Sequence, residues 1–206
     1  MSKFLAVDTS SRYLTVVACN GENKVVRYVA DCATNHSVVL MDEVDKAFDQ
    51  AALTPAECDY FVAVTGPGSF TGIRIGISCI KGYATALSKR AAGVTTFNML
   101  SYNVNSDKDY LIAIDAAHGN YYVCGYTREG VCDVKPCCIS ADKVAKYGRP
   151  VFGFEELDLP LYTRINAGEC LYNAALKCEE AGGELQALYV KKSQAEEERE
   201  ARLNRK

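Results

Sequence analysis

No stretch of this 206-residue chain approaches the ~20 consecutive apolar residues that would cross a bilayer as a helix. The start, MSKFLAVDTS, reaches Asp8 after a short apolar run and offers no small-residue cleavage site, so no secretory signal is expected. Charge of one sign is lacking too: 23 Lys and Arg face 26 Asp and Glu, a formal charge of −3. That balance cannot neutralise phosphates over a whole face, which disfavours autonomous nucleic-acid binding. Cysteine is plentiful at ten residues, yet no Cys-x-x-Cys pair occurs, and most stand in apolar runs such as LTVVAC and GISCIKG. The paired thiolates of a structural zinc are therefore missing. Small buried hydrophobes in a reducing compartment are expected instead. Cys132, Cys137 and Cys138 form a local cluster, where redox or metal chemistry stays open. Histidine is nearly absent, at positions 36 and 118, and Leu40 stands one turn after His36, so there is no His-x-x-x-His ligand pair. The expectation is a soluble, cytoplasmic protein of ordinary globular composition, 49% apolar and 24% charged.

What is present is a pattern written twice. FLAVD (residues 4–8) reads as a buried strand ending in a carboxylate; the turn TSSR, YLTVVAC, a turn at Asn20-Gly21 and KVVRYVA complete three tightly connected strands. YLIAID, ending in Asp115, is followed by AAHGN, YYVCGY, TREG and VCDVKPC in the same order. Each triplet leads into a helical pattern, a short strand and a second helix. These fall at 36–53, 60–65 and 72–89, then at 141–147, 151–154 and 167–181, with Gly182-Gly183 as a closing cap. The order predicts an α/β chain made of a duplicated βββαβα unit, with subdomains at 1–106 and 107–190. The helix after Ser140 has about two turns, so the second subdomain is expected to be reduced and its sheet thinly covered. Residues 191–206 hold ten charged side chains in sixteen and read as a solvated helix or a disordered end.

The most distinctive string is TGPGSFTGIRIG, residues 65–76, joining the apolar strand YFVAV to a long helix. Gly66-Pro67-Gly68 forces a tight turn, and Ser69 or Thr71 can cap the helix. Its backbone N–H groups suit an anion, and Gly66, Gly68 and Ser69 join Asp8, Thr9, Ser10 and Asp115 as candidate contacts to an anion or nucleotide, but the Walker, dinucleotide and nucleophile-elbow patterns all fail here. A turn needed only for packing remains the competing reading. On the helix that follows, Arg74, Ser78, Lys81, Thr85 and Ser88 share an arc of roughly 80°, leaving roughly 220° of small or apolar residues. A helix lying on a sheet needs an apolar stripe of only about 100°. Ile73, Ile77, Ile80, Ala84 and Leu87 form one side of that excess, and the preceding helix adds Leu40, Met41, Val44, Ala47 and Phe48. Either the two helices bury each other, or they present an interface to another protein. Asp8 and Asp115, at equivalent strand ends, would face each other across the gap between halves. There they could hold a hydrated Mg²⁺ and phosphates, or be relics of that arrangement.

FLAVDTSS, HSVVLMDEVDKAF, TGPGSFTGIRIGISCIKGYATAL and the closing ALYVKKSQAE together resemble the bacterial TsaB (YeaZ) family, accessory proteins of tRNA threonylcarbamoyladenosine synthesis. The resemblance is dense over residues 3–97 and recurs weakly at YLIAIDAAHGNYYV and YVKKS; GPGSFTGIRIG is its most specific string. It implies an actin-like fold of the Hsp70, sugar-kinase and ribonuclease H-like group. It also implies a non-catalytic relative of TsaD, the partner that transfers the threonylcarbamoyl group to the adenosine beside the anticodon. TsaD-type proteins hold a metal with His-x-x-x-His; His36 without a second ligand at Leu40 implies a scaffold with no metal of its own. Family members pair with themselves when alone, and with TsaD, through first-subdomain helices. That maps onto Leu40, Met41, Val44, Phe48, Ile73, Ile77, Ile80, Ala84 and Leu87. The ATPase TsaE joins the pair. The resemblance implies no cofactor for the chain alone, leaves ATP or ADP to the partner interface, and brings tRNA in only through the complex.

Two other readings compete. A small actin-like enzyme would hydrolyse ATP between Asp8 and Asp115, with Gly66, Gly68 and Ser69 near the phosphates. A hydrolase would use Ser69 and His118, but without the Gly-x-Ser-x-Gly elbow it is the weakest of the three.

Overall fold

The computed structural model describes residues 2–32, 35–181 and 183–191. Gly182, half of the expected helix cap, and the tail from 192 to 206 lie outside the described residues.

Period-two alternation builds the layers. In β1 (Lys3–Asp8), Phe4 and Ala6 face one way and Leu5 and Val7 the other, and all four are fully buried. β2 (Leu14–Asn20) and β3 (Asn23–Val29) follow as antiparallel neighbours. Helix α1 (His36–Ala51) then returns the chain to β4 (Tyr60–Val64), parallel to β1, and α2 (Phe70–Leu87) to β5 (Arg90–Val94), parallel to β4. The sheet order is β3-β2-β1-β4-β5. After the short α3 (Thr96–Ser101) the second half repeats it. β6 (Tyr110–Asp115), β7 (Asn120–Tyr126) and β8 (Cys132–Ser140) are antiparallel, and α4 (Ala141–Ala145), β9 (Val151–Gly153) and β10 (Tyr162–Arg164) follow. The second order, β10-β9-β6-β7-β8, is the first one read from the other edge, with the same parallel and antiparallel pairs. The duplicated α/β architecture expected from sequence is therefore present.

Two details differ from the sequence pattern. A fifth strand closes each sheet, β5 (RAAGV) and β10 (YTR), so the repeat is longer than βββαβα. The final helix, α5 (Ala167–Ala181), also follows that fifth strand, so its counterpart is α3, not the helix at 72–89. Between β9 and β10 the second half has no helix; residues 154–161 make the connection. This is where the second subdomain is reduced, together with the five-residue α4.

The core has three layers of contact. α1 and α2 cover the outer face of the first sheet over Leu5, Val16, Phe61 and Ala63. Between the sheets lie α3 and α5, with Phe4, Tyr60, Phe97 and Leu100 meeting Tyr110, Ile112 and Tyr126. Here α5 packs on β1, β2 and β5 of the first sheet. Leu111, Ala113, Val123 and Val151 form a small outer cluster on the second sheet, covered by Val144 of α4 and by Leu159 from the helix-free connection. No helix among the described residues is long and apolar enough to cross a membrane.

Candidate functional site

The glycine-rich string wraps the turn after β1. Ser69 N–H donates to the Ser10 carbonyl (2.6 Å), and Ser69 Oγ caps α2 by accepting from Gly72 N–H (3.2 Å). Thr9 Oγ1 donates to the Gly72 carbonyl (2.7 Å). From β5–α3, Thr96 N–H donates to the Gly66 carbonyl (2.8 Å) and its hydroxyl to the Pro67 carbonyl (2.9 Å). A Cβ at Gly72 would stand 1.9 Å from the Thr9 carbonyl oxygen, and one at Gly68, whose φ is +157°, would stand 2.0 Å from that of Ser10. Glycine is what lets the first turn of α2 sit against the β1–β2 backbone. The Ser69 and Gly72 N–H groups are thus already engaged within the protein. The C-terminal segment joins the same place, a contact the sequence gives no sign of. Leu188 N–H donates to the Thr65 carbonyl (2.8 Å). The Tyr189 ring stacks on Phe70 at 4.4 Å, and its hydroxyl accepts from Arg74 Nε (3.0 Å). The strings GPGSF and ALYV, far apart in the chain, thus form one cluster.

Asp8 and Asp115 play the same part in each half. Oδ1 of Asp8 accepts from Ser10 N–H (2.8 Å) and Oδ1 of Asp115 from Ala117 N–H (2.9 Å), each two residues on, fixing the turn after its strand. Asp8 is buried, which pushes its pKa up against the lowering bonds from Ser10; Asp115 is exposed. A third carboxylate enters that sequence reading missed. Glu155, just after β9, is 5% exposed and accepts from Asp115 N–H through Oε2 (2.8 Å). Burial first, then the negative charges of Asp115 and Asp8, raise its pKa to about 7 against the bond from Asp115 and the charge of Arg12. No group of three or more His, Cys, Asp or Glu that could hold a metal ion is present among the described residues. Buried His36 has Nε2 3.1 Å from the Tyr13 carbonyl. His118 lies in the exposed β6–β7 turn, in the other half from Ser69, whose hydroxyl already serves as the helix cap.

The helix pair divides differently from the sequence expectation. Leu40, Val44, Phe48, Ile73, Ile77, Ile80 and Ala84 are all buried within this subdomain, and of these Leu40 lines the open groove between the helices. The wide apolar arc of α2 is mostly spent on its own sheet and on α1. The surface that remains is made by Val38 and Met41, 71% and 45% exposed, with half-buried Ile75, Cys79 and Leu87. Met41 and Cys79 bring their sulfurs to 4.0 Å across a groove of about 460 Å³ between the helices, which Ser37, Thr71 and Arg74 also line.

Comparison with known proteins reads this geometry. The family model described as "TsaD: tRNA N6-adenosine threonylcarbamoyltransferase" matches residues 30–158, more than half of the chain. A Bacillus subtilis protein named "tRNA threonylcarbamoyladenosine biosynthesis protein TsaB" is 31% identical over 120 residues, 57% of this chain and 52% of its own length. The chain belongs to the TsaB (YeaZ) family. An uncharacterized protein of Mycobacterium tuberculosis is 31% identical over 147 residues, 70% of this chain and 68% of its own length. The chain spans about half to three fifths of the length of the curated relatives that carry the TsaB name. Among solved structures, YeaZ from Pseudomonas aeruginosa superposes with a TM-score of 0.75 at 22% identity, covering 92% of this chain and all of that one. With the twice-repeated sheet order, that likeness makes the fold the one seen in YeaZ.

Proposed function

We propose that this chain is an accessory subunit of tRNA threonylcarbamoyladenosine synthesis. It binds a TsaD-type transferase through the α1–α2 face and raises the activity of that enzyme without chemistry of its own. The observation that carries the reading is the open apolar groove at Leu40, Met41, Ile75 and Cys79, with exposed Val38 on the same helix, on a subdomain whose other large apolar side chains are mostly covered. Exposed apolar surface rimmed by polar groups, here Ser37, Thr71 and Arg74, suits a protein partner. The names of the relatives supply the pathway. When the transferase is absent, the same face pairs two copies of this chain. A TsaE-type ATPase joins the pair, and tRNA is reached through the partner, which suits a formal charge of −3. ATP hydrolysis by this chain draws less support, since Asp8 and Asp115 each spend an oxygen on their own turn.

The test is a reconstituted modification assay with a TsaD-type enzyme, tRNA and a threonylcarbamoyl donor. Adding this chain should raise the rate, and Met41→Glu combined with Ile75→Glu should abolish the gain. Phosphate release from ATP by the chain alone, lost in Asp8→Asn, would overturn the scaffold reading.

A further inference from the structure

The fold splits the cysteine cluster singled out in the sequence and sets one member, Cys132, against Cys124 of β7. β7 and β8 form an antiparallel pair whose register slips between Val123 and Gly125 and again between Gly125 and Tyr126. Such slips bend and twist a ladder locally. Gly125 sits at the slip: a Cβ there would stand 2.6 Å from Cγ2 of Val134 and 2.9 Å from Oδ1 of Asp133, so β8 leans across the missing side chain. The consequence is that Sγ of Cys124 lies 3.7 Å from Sγ of Cys132, in contact. Cys124 is buried in the layer between the sheets, while Cys132 is exposed. Cys137 packs on the opposite face of the sheet, with Sγ 3.7 Å from the Val123 carbonyl.

We propose that Cys124 and Cys132 are a modification site, converted by a hydroperoxide into a reversible disulfide that ties β7 to β8. The Cys132 thiolate attacks the peroxide; its O–O bond breaks, a sulfur–oxygen bond forms, and the leaving oxygen departs as water or alcohol after taking up a proton. The Cys124 sulfur then attacks the sulfenic sulfur. The S–O bond breaks, the disulfide forms, and the Cys124 proton leaves with the hydroxide as water. Two thiols are oxidised and one peroxide is reduced. Burial pushes the Cys124 thiol up to about 12, which keeps it protonated and directs the first attack to the exposed partner. Closing 3.7 Å to a bond of about 2 Å requires side-chain rotation, which the irregular ladder accommodates. An added thiol reaches the bridge at Cys132 and reopens it. The tie lies beside Tyr126, whose hydroxyl donates to Asn98 Oδ1 of α3 (3.2 Å), so oxidation acts where the second sheet meets the first subdomain.

The full chain is reduced, freed of reductant, treated with hydrogen peroxide, alkylated under denaturing conditions and digested. The expected result is loss of two of the ten thiols, a peptide pair linked through Cys124 and Cys132, and full recovery with dithiothreitol. Cys132→Ser, at an exposed position that does not threaten folding, should remove the bridge; Cys137→Ser should leave it. A bridge from Cys132 to Cys138 or to a second chain would overturn the proposal. So would Cys132 advancing to a sulfinic acid while Cys124 stays alkylatable.

Discussion

Gly72 has no room for a side chain, because the Thr9 carbonyl occupies the place of its Cβ. Gly72→Ala must therefore push the first turn of α2 away from β1. The expected cost is ~1–3 kcal/mol, read from urea unfolding as a lower midpoint at unchanged slope. Glu155 gives a second test at this scale. Its pKa is raised from an ordinary 4.5 to about 7, so the native state holds the proton more tightly than the unfolded chain. Stability from this group is complete below pH 4.5, falls as pH rises through the interval, and is gone above about 7. Glu155→Gln should flatten that fall, leaving the variant roughly 3 kcal/mol less sensitive between pH 4.5 and 8; equal slopes would show that the carboxyl is not protonated in the fold. Asp8 and Asp115 were legible in sequence because each ends an apolar run before a polar turn. Glu155 was not, since in GFEELD it resembles any surface carboxylate until Asp115 N–H is seen to reach it.

At the scale of elements, the same two helices carry both a core and a surface, and substitutions separate them. Ile80→Ala should cost ~2–5 kcal/mol because its side chain is fully covered by the sheet. Met41→Glu should change stability by no more than ~0.5 kcal/mol, yet weaken partner binding. If Met41→Glu destabilised the chain as much as Ile80→Ala, the groove would be interior. Continuous apolar runs in FLAVD, YFVAV and YLIAID made the central strands plain, since both faces of each are buried. The fifth strands escaped for physical reasons. RAAGV has small residues and a glycine whose Cβ position is taken by the Glu184 carbonyl, and YTR is three residues long and largely exposed. The wide apolar arc of α2 was also read too generously, because a period count does not say which part of an arc its own sheet consumes.

At the scale of the molecule, two sheets of identical order sandwich α3 and α5, and the last helix of the second half lies against the sheet of the first. The C-terminal segment then passes the glycine-rich turn, with Leu188 and Tyr189 holding it beside the start of α2. The last described residues therefore return to the first subdomain, the half that also carries the α1–α2 groove. The second half links Asp115 to Glu155 by a hydrogen bond but has no helix between β9 and β10; Leu159 fills part of that place. The measurement that bears most directly on the scaffold reading is light scattering after size exclusion, on this chain mixed with a TsaD-type protein from the same organism. The expected result is a one-to-one complex that Met41→Glu with Ile75→Glu disrupts while leaving both proteins folded. Two separate peaks for the unsubstituted chains, each folded, would contradict it.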